Sequence, residues 1–394
     1  MWPVSVLFFC CVSVAYARSS NSIHLPEENL SVPELVRYWK YPVETHKVTT
    51  DDGYILTLHR IPYGRKQRRH KKKRPVVFLQ HGLLAASSNW VTNLPHQSLG
   101  FMLADAGYDV WMGNVRGNTY SREHIKYDLK GERYWDFTWD EMAKYDLPAM
   151  INKALNMTGQ KDLFYVGHSQ GTMISFAGLS QNSDLRKKMK LMFALAPVAT
   201  LAHTQSPIRY FSYFTNELKY MFKILGVKDF LPSTTWVKYI ADKVCPTDEI
   251  MCENILFVLC GYDKTNMNVT RIPVYGSHTP AGTSVKNMIH FAQLIAGKRF
   301  QAYDYGHFKN KKIYGTKRPK AYDLSKVTVP VAIYAGGNDW LADPTDVSWL
   351  TKRLPHVIKD VSLKNYNHLD FIWGLNARTK VYKDMIHLMR KYNK

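Results

Sequence analysis

The residues best suited to chemistry lie in one turn, Gly167–Gly171, which has the sequence GHSQG. A serine in a Gly-x-Ser-x-Gly pattern is typical of a nucleophile elbow, where a strand turns sharply into a helix. The serine adopts a strained backbone there, and glycines let the chain fold back tightly. Asp162–Val166 has the pattern of a short buried strand, and Thr172–Leu179 has that of a helix with an apolar face. We therefore predict that Ser169 is a nucleophile, and not merely part of a glycine-rich turn.

A serine nucleophile needs a general base, and the base needs a group that orients it. In sheets that carry such an elbow, the acid and the histidine follow the serine in that order, on loops after later strands. Apolar Val331–Ala335 predicts one of these strands, and Asp339 follows it closely. Asp343 and Asp346 lie further from the strand end. Asp339 is therefore the predicted acid.

The chain contains 15 histidines, and position along the chain separates them. His368 follows the strand-like Val357–Leu363 and precedes a predicted closing helix, Thr379–Tyr392. His356 is too near the start of that strand, and His387 falls within the helix. His368 is therefore the predicted base.

A serine nucleophile that attacks a carbonyl carbon, as in acyl transfer, also needs two backbone N–H groups. They point at the carbonyl oxygen, on which negative charge develops. One donor is predicted at Gln170, the residue after the nucleophile. The other is predicted at Leu83, in the loop after the strand Val76–Gln80, because Gly82 leaves room for its N–H. These two groups form the predicted oxyanion hole.

The elements that must position these residues alternate between strands and helices, which indicates an α/β fold: a mostly parallel sheet with helices on both faces. The predicted strands are Glu44–Val48, Tyr54–Ile61, Val76–Gln80, Tyr108–Met112, Leu163–Val166, Lys190–Leu195, Val331–Ala335 and Val357–Leu363. The predicted helices are Val32–Lys40, Leu94–Ala106, Asp140–Asn156, Thr172–Leu179 and Thr379–Tyr392. The alternation stops near Val198 and resumes at Val329. We therefore expect a core built from residues 18–199 and 324–394, with residues 200–323 inserted as a cap.

The predicted insertion has a helical period and a large apolar face. Its apolar stripe comprises Ile208, Phe211, Phe214, Leu218, Met221, Phe222 and Leu225. Spacings of three and four indicate one face of an amphipathic helix, which packing on a neighbour would already explain. So many large apolar residues beside a catalytic sheet also favour a lid, predicted at about residues 231–260, over an apolar cleft.

The first residues predict export. Val4–Val14 is apolar and too short to span a bilayer, and Ala15–Ala17 has the small-x-small pattern of a cleavage site. We expect a signal peptide over residues 1–17 and a secreted protein, with the lysosome as the alternative. Three Asn-x-Ser/Thr sequons fit that route, at Asn29, Asn156 and Asn268.

Cysteine usage agrees with an oxidising compartment. After removal of the signal peptide, three cysteines remain, Cys245, Cys252 and Cys260, which suggests one disulfide and one free thiol. Cys245 and Cys252 lie close enough to be joined, and Cys260 sits in an apolar run. No Cys-x-x-Cys or paired His motif has the spacing of a zinc site, so we predict no metal.

The net charge of +21 raises the question of an anionic partner. Eight cations lie in one run, Arg65–Arg74, which a solvated loop between two strands would explain. The alternatives are contact with heparin or an anionic lipid surface, or a basic processing site. Because no nucleic-acid-binding motif accompanies the run, we predict no nucleic-acid partner.

Taken with these residues, the chain resembles the acid lipase family of gastric, lysosomal and epidermal lipases. The matching stretches are Val76–Leu84, Ser88–Trp90, Leu103–Asn118, Asp140–Pro148, Tyr165–Thr172, Ala194–Val198, Pro280–Val285, Gly336–Asp346 and Asn365–Trp373. Three further stretches, Met1–Trp2, Asn21–Pro26 and Phe371–Leu375, look most like the epidermal members.

The resemblance implies an α/β-hydrolase fold with a helical cap, and cofactor-free hydrolysis of neutral-lipid esters such as triacylglycerols and cholesteryl esters. It assigns the triad to Ser169, Asp339 and His368, and the oxyanion donors to Leu83 and Gln170. It also implies a Cys245–Cys252 bridge and a free Cys260. The spacing of that bridge and the Arg65–Arg74 run both depart from the family pattern.

Two other functions compete with this interpretation. One is a carboxylesterase acting on small soluble esters, against which the apolar insertion argues. The other is a non-catalytic binding protein on a hydrolase fold, against which the complete set of Ser169, Asp339 and His368 argues.

Overall fold

The structure of the protein is a computed structural model that describes residues 25–67, 73–214, 217, 220, 224, 226–230, 260–261 and 265–393. The predicted signal peptide, the predicted Cys245–Cys252 bridge and nearly all of the predicted lid lie outside the described residues. So does the middle of the basic run, residues 68–72.

The described residues form two sheets. Their strands are β1 Glu44–Thr49, β2 Tyr54–Ile61, β3 Val76–Gln80, β4 Asp109–Gly113, β5 Glu123–His124, β6 Leu163–His168, β7 Met189–Leu195, β8 Asp229–Phe230, β9 Thr283–Ser284, β10 Val331–Gly336 and β11 Val357–Leu363. Nine of them build the main sheet, in the order β1-β2-β4-β3-β6-β7-β10-β11, with β5 paired to β2. The remaining two, β8 and β9, pair with each other.

The main sheet is antiparallel at one side and parallel elsewhere. The β1–β2 hairpin and the β2–β4 pair are antiparallel, whereas every pair from β4 through to β11 is parallel. Every residue of β3, β4, β6 and β10 is buried. Strands that are apolar and buried throughout must be covered on both faces, which confirms the predicted fold class.

The helices follow the strands in turn. They are α1 Val32–Tyr38, α2 Leu99–Asp105, α3 Trp139–Glu141, α4 Leu147–Thr158, α5 Gln170–Gln181, α6 Ser183–Lys188, α7 Ile272–His278, α8 Val285–Gly297, α9 His307–Tyr314, α10 Pro344–Thr351, α11 Asp370–Trp373 and α12 Lys383–Tyr392. Two π-helical turns, Met142–Asp146 and Arg378–Tyr382, lead into α4 and α12. The described residues also form short 3-10 helices at Pro26–Glu28, Ser87–Trp90, Val269–Arg271 and Leu324–Lys326, and a longer one at Pro207–Phe214.

One predicted helix is wrong at its start. Residues Leu94–Ala106 were expected to be helical, but the helix begins only after Ser98. Pro95 disfavours a helical conformation at the residue before it, and serine is a preferred N-cap residue. The apolar period therefore extended the prediction by one turn too many.

The chain leaves the main sheet after β7 and rejoins it at β10, and no described residue between them adds a strand to that sheet. The predicted amphipathic helix opens instead as a 3-10 helix, Pro207–Phe214. Its run of aromatic and β-branched residues has modest α-helical propensity, which fits this departure. The cap boundaries 200 and 323 stay predictions. Within the described chain, no helix is both long and apolar enough to cross a membrane.

Candidate active site

The turn between β6 and α5 has the geometry of a nucleophile elbow. Ser169 has φ of 53° and ψ of −120°, a conformation that non-glycine residues rarely adopt. A Cβ at Gly167 would lie 2.9 Å from the carbonyl carbon of Gly171, and a Cβ at Gly171 would lie 2.4 Å from the backbone oxygen of Gln80. Both positions therefore require glycine, for the reason that the sequence pattern suggested.

Three distant segments meet at this serine. The Nε2 atom of His368 lies 2.8 Å from the Ser169 hydroxyl oxygen. The Nδ1 atom of His368 lies 2.8 and 3.0 Å from the two carboxylate oxygens of Asp339. A carboxylate only accepts hydrogen bonds, so Nδ1 carries the proton and Nε2 is left to accept from the serine O–H. The structure thus brings together the serine, the histidine and the acid that the sequence singled out.

The carboxylate of Asp339 is fully buried, and its surroundings fix its direction. Besides His368, it accepts hydrogen bonds from the backbone N–H groups of Leu341, at 2.9 Å, and Ala342, at 2.8 Å. The competing acids are engaged elsewhere. Asp343 accepts from the N–H of Thr345 at the start of α10, and Asp346 pairs with His203.

The loop that carries His368 is held from both sides. Its backbone N–H donates to the Cys260 carbonyl at 3.1 Å. Its own carbonyl accepts a 2.9 Å hydrogen bond from the Nε2 atom of His168, the residue before the serine. Burial, with a smaller contribution from the His368 ring, lowers the pKa of His168 to about 3. His168 is therefore a neutral hydrogen-bond donor that holds the His368 backbone close to the nucleophile elbow.

The loop after β3 lies against the serine. A Cβ at Gly82 would lie 3.1 Å from the Cβ of Ser169 and 3.1 Å from the Nδ1 atom of His168, so a larger residue would require these neighbours to move by a few tenths of an ångström. The Nδ1–H of His81 donates to the Gly82 carbonyl at 2.8 Å, and its Nε2 accepts from the N–H of Val115 at 3.3 Å and from the side chain of Asn118 at 3.2 Å. Burial lowers the pKa of His81 to about 4, which keeps the ring neutral. These bonds hold the peptide that leads into Leu83.

Gln170 is the first residue of α5, and the first N–H groups of a helix have no partner within it. Its side-chain oxygen accepts a 2.8 Å hydrogen bond from Asn287 of α8. The side-chain oxygen of Asn287 in turn accepts from the backbone N–H of Trp139, also at 2.8 Å. The segment between β7 and β10 therefore contacts the side chain of Gln170, whose backbone N–H is one of the two candidate oxyanion donors.

Sequence reasoning missed the supporting residues His81, His168 and Asn287. The contacts from His81 to Val115, from Asn287 to Gln170 and from His168 to His368 span 34, 117 and 200 positions of the chain, so no local sequence pattern indicates them. The glycine at 261 was also missed. A Cβ there would lie 2.0 Å from the Asn338 carbonyl oxygen, so residues 260–261 wedge between the acid loop and the histidine loop.

The remaining predicted residues lie as follows. Asn29 and Asn156 are exposed and Asn268 is half-buried. Cys260 has a free, buried thiol whose pKa is raised, chiefly by burial. No metal-binding cluster of His, Cys, Asp or Glu occurs in the described part of the chain. At the described ends of the basic run, Arg65 lies over the ring of Tyr41.

A nucleophile elbow at the carboxyl edge of a mostly parallel sheet, with an acid and a histidine on later loops, defines the α/β-hydrolase class. Residues 75–375 match the family described as the alpha/beta hydrolase fold, and residues 32–94 match the partial alpha/beta-hydrolase lipase region.

Solved structures share the fold at low identity. A soluble variant of monoglyceride lipase from Saccharomyces cerevisiae is 16% identical with a TM-score of 0.51, covering 89% of this chain and 98% of that one. An epoxide hydrolase from Vigna radiata is 14% identical with the same TM-score of 0.51, covering 89% and 98%.

Much closer relatives identify the family. The chain is 48% identical to gastric triacylglycerol lipase from Rattus norvegicus, with 92% of each chain covered. It is 49% identical to lysosomal acid lipase/cholesteryl ester hydrolase from Homo sapiens, covering 93% of this chain and 92% of the relative. It is 47% identical to human lipase member K, covering 96% and 94%. The chain therefore belongs to the acid lipase family of α/β-hydrolases, as its motifs predicted.

Proposed function

We propose that this protein is a secreted serine lipase that hydrolyses carboxylic esters of neutral lipids. The observation that carries the proposal is the chain of hydrogen bonds from Ser169 through His368 to Asp339, buried at the edge of the sheet. This is the arrangement that serine hydrolases use for acyl transfer.

In the proposed mechanism, the Nε2 atom of His368 takes the hydroxyl proton as Ser169 attacks the ester carbonyl carbon. The backbone N–H groups of Leu83 and Gln170 stabilise the negative charge on the carbonyl oxygen. Asp339 holds the imidazole in the required tautomer and stabilises its charged form. His368 then protonates the departing alcohol, and a water molecule, activated by the same histidine, releases the fatty acid from the serine.

The names of the relatives support the lipid specificity. The gastric relative is named a triacylglycerol lipase, and the lysosomal relative is named an acid lipase and cholesteryl ester hydrolase. Identity near half the residues over more than nine-tenths of each chain favours the same substrate class here. Triacylglycerols and cholesteryl esters are therefore the proposed substrates.

Export rests on the predicted signal peptide and on the sequons. Asn29 and Asn156 are exposed in the folded protein, as glycan attachment requires. We propose secretion, with the lysosome as the alternative destination. N-terminal sequencing of the protein recovered from the medium of expressing cells tests the cleavage near Ala17; a mature protein that retains Val4–Val14 would contradict it.

A substrate comparison separates the lipase from the small-ester alternative. Initial rates are measured on emulsified long-chain triacylglycerol, on cholesteryl oleate and on a soluble short-chain ester, with Ser169→Ala as the control. A lipase turns over the emulsified esters at rates comparable with or above the soluble ester, and Ser169→Ala loses all three activities by at least about 10⁴-fold. Turnover of the soluble ester alone would favour a carboxylesterase.

The non-catalytic alternative is tested by labelling. A serine-directed phosphonate attaches to Ser169 if His368 activates its hydroxyl, and intact-protein mass spectrometry then shows one adduct per chain. A folded protein that takes up no phosphonate would support a binding function instead.

A further inference from the structure

A basic segment with an exposed phenylalanine projects from the body of the protein. Residues 306–320, here called the basic protrusion, contain α9 and return to the body at Ala321. Backbone hydrogen bonds close their base, from the Ala302 N–H to the Lys320 carbonyl at 2.9 Å and from the Tyr322 N–H to the Phe300 carbonyl at 3.0 Å. The protrusion is therefore an excursion with a fixed stem.

Buried Asn310 also fixes the interior of the basic protrusion. Its side chain accepts from the Tyr305 N–H at 3.0 Å and donates to Asp304 at 2.8 Å and to the Lys317 carbonyl at 3.0 Å. The hydroxyl of Tyr314, one helical turn later, donates to the Tyr303 carbonyl at 2.9 Å. One face of α9 thus holds the protrusion in shape and leaves the opposite face to solvent.

The outer face combines apolar area with uncompensated positive charge. Phe308 is 94% exposed and Ile313 is 53% exposed. The protrusion carries six exposed cations, namely Lys309, Lys311, Lys312, Lys317, Arg318 and Lys320. The sequence has no acidic residue from His307 to Lys320, and none of the six cations forms a salt bridge with a described residue.

Positive charge alone would attract any polyanion, whether a polysaccharide or an anionic lipid surface. The exposed side chain of Phe308 favours the lipid surface. A phenylalanine held almost wholly in water gains by entering an apolar phase, which a polysaccharide does not offer. Lys311 and Lys312 follow Phe308 by three and four positions, so they flank the ring on the same side of the helix. An apolar residue flanked by lysines is the arrangement by which helices bind the headgroup region of anionic membranes.

We propose that the basic protrusion docks the protein onto a lipid surface that carries anionic phospholipid headgroups, with Phe308 inserted among the acyl chains. The lysines approach the headgroup phosphates, and the fixed stem spares the protein the loss of conformational entropy that a disordered segment would suffer on binding. This surface is separate from the Arg65–Arg74 run, and the inference does not depend on the chemistry of Ser169.

The test measures binding of the full-length protein to vesicles of phosphatidylcholine with and without phosphatidylserine, by flotation. Lys311→Glu/Lys312→Glu is compared with Arg390→Glu/Lys391→Glu, an adjacent exposed pair on α12 that gives the same change in net charge. Phe308→Ala is compared with Ile125→Ala, a residue that is 70% exposed elsewhere. Turnover of a soluble short-chain ester and retention on immobilised heparin are measured for all four variants.

We expect Lys311→Glu/Lys312→Glu to weaken binding to phosphatidylserine vesicles by at least about 25-fold, from about fivefold for each cation removed. Phe308→Ala should weaken binding to these vesicles about tenfold. Each control variant should bind the vesicles more tightly than the protrusion variant with which it is compared. All four variants should keep their turnover of the soluble ester. Equal binding by each variant and its control would overturn the proposal. So would a lysine effect on heparin and vesicles alike with no effect of Phe308→Ala, since that outcome identifies a general polyanion site.

Discussion

Ser169 holds a backbone conformation that most residues avoid, with a positive φ of 53°. Conformations of this kind persist only where the surrounding structure enforces them. Here Gly167 and Gly171 permit the tight turn that holds it, because the backbone packs so closely that no Cβ fits at either position. A Gly171→Ala substitution would therefore displace the strand–helix junction, and the sequence motif encodes a real steric requirement.

The orienting role proposed for Asp339 predicts a loss of rate with little loss of structure. Asp339→Asn keeps the size of the side chain, but the amide can donate to His368 Nδ1 and so favours the wrong tautomer. We expect kcat to fall by about 10⁴-fold with a small change in KM on a soluble ester. Asp343→Asn, on the nearby acid that caps α10, is the control and should keep kcat within about tenfold. Equal losses in the two variants would contradict the assignment.

The hydrogen bond from His168 to the His368 carbonyl predicts a different kinetic pattern. His168→Phe removes the donor and frees the His368 backbone to shift, and a misplacement of this kind costs about 10²-fold in rate. His168→Gln retains an N–H donor and should recover part of the loss. The measurement is kcat and KM for both variants, with thermal unfolding as a check on folding. A loss in His168→Phe that His168→Gln does not relieve would argue against a positioning role.

At the scale of elements, helix α8 contacts the residue after the nucleophile, Gln170, through the side chain of Asn287. Asn287 donates to the Gln170 side chain and accepts from Trp139, so it couples the segment between β7 and β10 to the candidate oxyanion hole. We expect Asn287→Ala to lower kcat about tenfold to 10²-fold on a soluble ester.

A double-mutant cycle distinguishes this coupling from a general loss of stability. Because Asn287 acts through the Gln170 side chain, Asn287→Ala should reduce kcat much less in a Gln170→Ala background. Additive effects of the two substitutions would show that the contact does not transmit to the reaction.

Buried histidines predict how stability varies with pH. His290 of α8 stacks on Trp139, and burial lowers its pKa to about 3. Below about pH 6.5, His290 therefore binds a proton in the unfolded chain but stays neutral in the folded protein. The stability of the fold falls as the pH drops through this range. Between pH 6.5 and pH 5, the free energy of unfolding should fall in both the native protein and His290→Gln. The fall should be smaller in His290→Gln, by about 1.5 kcal/mol, because this variant lacks the buried histidine.

Chemical denaturation at the two pH values checks this difference, with exposed His356→Gln as the control. An unchanged pH dependence in His290→Gln would contradict the prediction. His59, His81 and His168 are buried with lowered pKa values in the same direction, so the native protein should lose stability in acid even after this one substitution.

The elements also show where sequence reasoning succeeds. The sequence predicts strands such as Tyr54–Ile61 and Val357–Leu363 with the bounds that the structure has, because the preference of residues for a strand is a local property of the sequence. Chain order after each strand selected Asp339 and His368, and the structure places these two side chains in contact with each other. The contacts of His168 and Asn287 depend on how distant segments pack, and a single sequence carries no record of that packing.

At the scale of the whole molecule, charge and catalysis lie in different parts of the chain. All three residues of the proposed triad are buried, whereas the six cations of the basic protrusion are exposed. Charge should therefore influence association with surfaces and leave the chemical step unaffected. Raising the ionic strength should weaken binding to anionic vesicles while kcat on a soluble ester stays the same. A parallel fall in both would contradict this separation.

The central claim is that Ser169 becomes covalently acylated during ester hydrolysis. The most direct measurement is mass spectrometry of the protein quenched in acid during turnover of a slowly hydrolysed ester, followed by mapping of the modified peptide. The account predicts one acyl group per chain on Ser169, absent from Ser169→Ala and from His368→Ala. An acyl group on another residue, or hydrolysis that continues in Ser169→Ala, would contradict it.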